Sequence, residues 1–119
     1  MKNILIIDDC EADQFLSKFL IQKISPNVSI SQAYDGIEAL DLLEKMKEAP
    51  DVIFIDINMP RMNGYEFLKI YSQKYDNKPK IFILTSSNES VDQERSHKFE
   101  CVESFITKPI TNDLISQLL

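Results

Sequence analysis

Glycine is nearly missing from this sequence: Gly36 and Gly64 are the only two in 119 residues. Cradles that hold phosphate through backbone N–H groups, the dinucleotide fingerprint and the P-loop alike, need several glycines in one turn, so both are excluded. Cysteine is as scarce. Cys10 and Cys101 stand far apart with no metal-ligand spacing, and they read as free thiols of a reducing compartment. Long apolar runs are missing too: Ile4 to Ile7 gives way at once to Asp8-Asp9, too short for a secretory signal or a spanning helix. The expectation is a cytoplasmic protein without a membrane partner. Basic residues are the minority, 13 Lys and Arg against 19 Asp and Glu for a net charge of −6. Such a surface repels phosphate backbones, which argues against direct nucleic-acid binding. With 44% hydrophobic and 27% charged residues, and no linker, low-complexity tract or internal repeat, residues 1–119 read as a single globular domain.

Five short β-branched or aromatic runs alternate with stretches of helical period. The runs are Asn3 to Ile7, Val28 to Ala33, Val52 to Ile55, Lys80 to Leu84 and Ser104 to Thr107. The helical stretches are Glu11 to Ile24, Gly36 to Lys47, Gly64 to Tyr75, Ser90 to Phe99 and Asn112 to Leu119. The first helix repeats Ala12, Phe15, Leu16, Phe19, Leu20 and Ile24 as its apolar residues, and the second places Ile37, Leu40 and Leu43 on one stripe. Tyr65, Phe67, Leu68, Tyr71 and Tyr75 fit core packing and helix edges. The first, third and fourth runs are continuously apolar, as parallel strands covered on both faces must be. The alternation predicts an α/β fold, a doubly wound five-stranded parallel sheet with helices on both faces.

Open parallel sheets bind ligands at the carboxyl ends of their strands, beside the switch point in strand order. Four of the five expected strands end in chemically useful groups: Asp8-Asp9, Asp56, Thr85-Ser86 and Thr107-Lys108-Pro109. Three converging carboxylates repel one another unless a cation neutralises them, and Mg²⁺ suits such an oxygen-only site. Lys108 adds a fixed positive charge and Thr85 a hydroxyl donor. Carboxylate, metal, ammonium and hydroxyl together describe a phosphoryl-transfer site with an Asp nucleophile. Each residue alone has a plainer reading. An Asp after a strand is often a helix cap, Lys-Pro is often just a turn, and Thr85-Ser86 opens a loop. Their joint placement at successive strand ends favours the functional reading. The single histidine, His97, sits in a polar stretch and reads as a surface residue.

The acidic pair Asp8-Asp9, the run Asp56-Ile57-Asn58-Met59-Pro60 followed by Asn63-Gly64, Thr85-Ser86, and Phe105-Ile106-Thr107-Lys108-Pro109 resemble, over essentially the whole chain, the CheY-like receiver domains of two-component response regulators. The resemblance implies that Asp56 accepts a phosphoryl group from a histidine kinase or a histidine phosphotransfer protein. It implies that Asp9, Asp56 and the Asn58 carbonyl bind Mg²⁺, with Asp8 acting mainly through water. Thr85 and Lys108 would contact the phosphoryl oxygens, Phe105 would be the switch aromatic, and the Lys108-Pro109 bond would be cis. The chain departs from the family at Cys101-Val102, where a small pair is usual, and in the thin apolar stripe of Ser90 to Phe99.

The expected function is thus a phosphorylation-controlled signalling switch, catalytic only in its own phosphoryl transfer. It would act on a downstream protein through the face formed by the helix at Ser90 to Phe99, the fifth strand and the last helix, a face that also suits a homodimer. The alternative is a Mg²⁺-dependent phosphohydrolase of the haloacid dehalogenase kind. That chemistry places a general acid/base Asp two residues after the nucleophile, where this chain has Asn58, and uses a capping domain for which 119 residues leave no room.

Overall fold

The computed structural model describes residues 3–47, 49–57, 62–74, 79–85, 102–107 and 110–118, with Thr85, residues 102–105 and Thr107 described as backbone. The strands are β1 (Asn3–Ile7), β2 (Ser29–Ala33), β3 (Val52–Asp56), β4 (Lys80–Thr85) and β5 (Val102–Thr107). The helices are α1 (Glu11–Ile24), α2 (Gly36–Lys45), α3 (Gly64–Lys74) and α4 (Asn112–Leu118). All strand pairs are parallel, in the order β2-β1-β3-β4-β5. The expected doubly wound sheet is therefore present. The helix expected at Ser90 to Phe99, with His97, lies outside the described residues, as do Tyr75 and Cys101.

Because successive strand residues face opposite sides of the sheet, the apolar runs of β1, β3 and β4 feed two cores. Leu5, Ile7, Ile53, Ile55, Ile81 and Ile83 join Ala39 and Leu43 of α2 and Phe67, Leu68 and Tyr71 of α3. Ile4, Ile6, Val52, Phe54, Phe82 and Leu84 join Ile21 of α1 and Ile115 of α4. The pairing β4–β5 shifts register between Ile81 and Phe82, where Val102 and Ser104 are the partners, so β5 begins two residues earlier than its composition indicates.

Phe54 is buried at the centre of the second core, stacked on Phe82 with ring centroids 5.6 Å apart. Replacing it with Ala should cost about 3–5 kcal/mol, a large share of the ~5–15 kcal/mol typical of a whole domain. Urea unfolding of Phe54→Ala should show that loss as a lowered midpoint. A midpoint within error of wild type would mean that this core is not packed as described.

Two helices orient differently from their hydropathy. Phe15, Leu16 and Phe19 are 72%, 42% and 53% exposed, and the two rings stack on the outer surface at 6.4 Å. The buried stripe of α1 is instead Gln14, Ser17 and Ile21, flanked by the partly buried Leu20 and Ile24. Turned this way, the helix lets the buried Gln14 amide donate to backbone carbonyls at the ends of β1 and β2. On α2, Ile37 is exposed, and the small Ala39 with Leu43 forms the contact. The α2 N-terminus is set by Asp35, whose carboxylate accepts the Glu38 N–H at 2.8 Å, and the helix ends at Lys45, two residues short of the expected Lys47. Lys74 of α3 hydrogen-bonds Glu44 of α2, and that bond, followed by the lysine charge, holds the exposed carboxyl below its ordinary pKa.

Both glycines mark close approaches. A Cβ on Gly64 would lie 2.7 Å from the Ile57 Cα and 2.9 Å from the Asp56 carbonyl oxygen, both backbone atoms that cannot yield cheaply. The first residue of α3 is thereby pressed against the end of β3, where the Gly64 N–H donates to the Ile57 carbonyl at 3.0 Å. A Cβ on Gly36 would meet the Met62 sulfur at 2.7 Å. Asn63 and Glu66 then close a reciprocal cap on α3: the Glu66 N–H donates to Asn63 Oδ1 at 2.9 Å and the Asn63 N–H to Glu66 Oε1 at 3.0 Å.

Candidate functional site

Strand order reverses around β1: its sequence successor β2 lies on one side and β3 on the other. The crevice at such a point opens above the carboxyl ends of β1 and β3. Asp8 and Asp9 follow β1, and Asp56 is the last residue of β3. One carboxylate oxygen from each of the three lies within 4.8 Å of the others. Among the described residues no other set of three His, Cys, Asp or Glu side chains converges in this way.

The three are not equivalent. Asp8 is fully buried, Asp56 is 8% exposed, and Asp9 faces solvent at the rim. The Asp8 N–H donates to the Ala33 carbonyl at 3.0 Å, extending the β1–β2 ladder by one bond, and its Oδ1 accepts the Cys10 N–H at 3.0 Å. None of the three occupies a helix-cap position. Cys10 is the residue before α1, and its side chain makes no capping hydrogen bond. The cap on α3 belongs to Asn63. The plainer reading of these carboxylates as caps therefore fails.

Two unit charges at that separation repel by about 3 kcal/mol at an effective dielectric of roughly 20. Gathering three acids against this repulsion needs compensation. The donor set is hard oxygen throughout and is accessible on the Asp9 side, which suits a small hard dication that keeps part of its water shell. The residues present thus fit Mg²⁺.

The other expected site residues are placed in part. Thr85 ends β4 and pairs in register with Thr107, one step beyond Leu84, the partner of Asp56. It therefore stands at the same rim as the carboxylates. Phe105 pairs with Ile83 within β5. Asn58, Lys108 and Pro109, with the expected cis bond, lie outside the described residues. Sequence reading missed Gln14, whose buried amide reaches the base of the cluster. The signal available was its spacing with Ser17 and Ile21, a polar residue recurring on one helical face.

Comparison with known proteins agrees with this architecture. The model of the response regulator receiver domain family matches residues 4–119. A two-component response regulator from Cytophaga hutchinsonii superposes with a TM-score of 0.87 at 30% identity, covering 99% of this chain and 93% of that one. The sensor histidine kinase CheAY of Helicobacter pylori is 29% identical over 119 residues, 98% of this chain and 14% of its own length. A protein-glutamate methylesterase/protein-glutamine glutaminase of Pyrococcus horikoshii is 32% identical over 110 residues, 89% of this chain and 28% of its own.

The chain belongs to the response regulator receiver domain family of two-component signalling. Family membership replaces the haloacid dehalogenase alternative. The chain spans only 14% and 28% of the lengths of those two curated relatives. Among the described residues no helix is long and apolar enough to cross a membrane.

Proposed function

We propose that this receiver is a phosphorylation-activated switch in which Asp56 takes a phosphoryl group from a phosphohistidine on a histidine kinase or a histidine phosphotransfer protein. The observation that carries the reading is the convergence of Asp8, Asp9 and Asp56 within 4.8 Å at the strand-order switch point. An Asp56 carboxylate oxygen attacks phosphorus, the new P–O bond forms as the P–N bond breaks, and the electron pair of that bond returns to the imidazole nitrogen. Asp9, Asp56 and the Asn58 carbonyl would hold Mg²⁺, with Asp8 behind them. The bound ion supplies positive charge to the transferred oxygens. The Lys108 ammonium adds a second positive charge, and the Thr85 hydroxyl donates to a phosphoryl oxygen.

Signal output follows from that last contact. Drawing Thr85 toward a phosphoryl group on Asp56 frees space beside β4 for the Phe105 ring, so the two states present different surfaces around β5, α4 and the segment at Ser90 to Phe99. The phosphoryl group favours one state because only that state satisfies its oxygens. The downstream partner is a protein, or a second copy of the chain, that reads this face in a cytoplasmic setting.

Hydrogen exchange with and without beryllofluoride, Mg²⁺ being present throughout, tests the switch. Protection is expected to change across β5, α4 and residues 90–99 as well as around Asp56, and Thr85→Ala should remove the distant changes while keeping the local ones. Changes confined to the loops at Asp9, Asp56 and Lys108 would contradict the output route.

A further inference from the structure

We infer that Gln14 is a positioning residue for the acidic cluster: one buried amide ties the ends of β1 and β2 to α1 directly beneath Asp8 and Asp9. The inference rests on the proposed reading of that cluster as a cation site. Gln14 is 1% exposed, and its Nε2 donates to the Ile6 and Asp8 carbonyls at 3.1 Å each and to the Ala33 carbonyl at 2.8 Å.

The consequence for the site runs through Asp8. Its N–H is held by the Ala33 carbonyl, its Oδ1 accepts from the Cys10 N–H, and its carbonyl oxygen accepts from Gln14. That carbonyl belongs to the peptide unit that carries the Asp9 nitrogen, and the unit is planar. Fixing the oxygen therefore fixes where the Asp9 Cα sits, and the Cys10 N–H bond to Asp8 Oδ1 restrains how Asp9 turns about that point. Gln14 touches none of the three carboxylates in these bonds and acts on Asp9 only through this peptide plane.

A primary amide suits the position because it offers two N–H donors, shared among the three carbonyls, and one oxygen that needs a donor of its own. Gln32 of β2 supplies it, donating through Nε2 to Gln14 Oε1 at 3.1 Å and to the Gln14 backbone carbonyl at 3.3 Å. This bond selects the amide orientation. Turned over, the Gln14 oxygen would face the three carbonyl oxygens, and Gln32 would face an N–H group. The chain Gln32, Gln14, Asp8 thus runs from the flank of β2 to the cluster as one directed set of hydrogen bonds.

The test compares Mg²⁺ affinity, by calorimetric titration, with thermal stability measured in chelator. Gln14→Met keeps the length of the side chain and removes its donors, and Ile21→Ala takes stability from the same helix by opening a cavity. Gln14→Met is expected to weaken Mg²⁺ binding about tenfold or more, as loss of a hydrogen bond behind metal ligands does. Amide exchange at Asp8 and Cys10 should accelerate in the same variant. Ile21→Ala is expected to lower the melting temperature while changing the affinity by no more than about twofold, as a distant, independent site should. Gln32→Met should weaken Mg²⁺ in the same direction as Gln14→Met by a smaller factor, and it carries the test if Gln14→Met does not fold. Unchanged affinity in the Gln variants, or the same weakening in Ile21→Ala, would overturn the role of Gln14. Failure of the unsubstituted protein to bind Mg²⁺ would overturn the cation-site reading itself, and this role with it.

Discussion

With Asp56 replaced by Asn, incubation with acetyl phosphate and Mg²⁺ is expected to add no phosphoryl group, whereas the unsubstituted chain should gain one. The side chain keeps its shape at the end of β3, but the amide has no anionic oxygen with which to attack phosphorus. Folding should survive, because the substitution removes one of three mutually repelling acids whose oxygens lie within 4.8 Å. The melting temperature in chelator is therefore expected to stay level or rise. Intact mass and a melting curve on the same sample separate the two effects. Incorporation equal to wild type would move the acceptor elsewhere, and a collapse of stability would make Asp56 a structural acid.

Asp9→Asn should act on the cation and leave the fold alone. Asp9 is exposed at the rim and precedes the N-cap position of α1, which Cys10 occupies, so it neither packs in the core nor caps a helix. Replacing its carboxylate by an amide removes a full charge opposite a doubly charged ion. Mg²⁺ affinity is expected to fall about tenfold or more, equivalent to about 1.4 kcal/mol. The Mg²⁺ concentration needed for half-maximal phosphorylation should rise with it. Calorimetry and a phosphorylation titration measure the two quantities independently. An unchanged affinity would leave Asp9 outside the metal site.

How far the sequence discloses this molecule depends on which interactions set each feature. The sheet is legible because the central residues of β1, β3 and β4 are buried on both faces and are apolar in an unbroken run. The acidic cluster is legible for a topological reason: parallel strands bring their carboxyl ends to one rim, so Asp8, Asp9 and Asp56 can be placed together without any side-chain detail. The rotation of α1 is not legible from apolar spacing. Its interior face carries Gln14, whose buried amide bonds three strand-end carbonyls while Phe15 and Phe19 stay exposed. The start of β5 is hidden for a related reason, since the register shift opposite Ile81 and Phe82 leaves no mark in composition. Gly64 shows a third limit. The sequence places it at the start of a helical stretch, but only the structure shows that its missing Cβ lets α3 close against the backbone of Asp56 and Ile57.

The central claim is that the three carboxylates at the β1 and β3 ends form one cation-dependent acceptor site with Asp56 as its nucleophile. Its most direct test is phosphorylation of the unsubstituted chain by acetyl phosphate, with Mg²⁺ or with chelator, followed by borohydride reduction and fragment mass spectrometry. The account predicts one modified residue, Asp56, labelled with Mg²⁺ and unlabelled in chelator. Label on Asp8 or Asp9, or equal label on Asp56 without the cation, would contradict it.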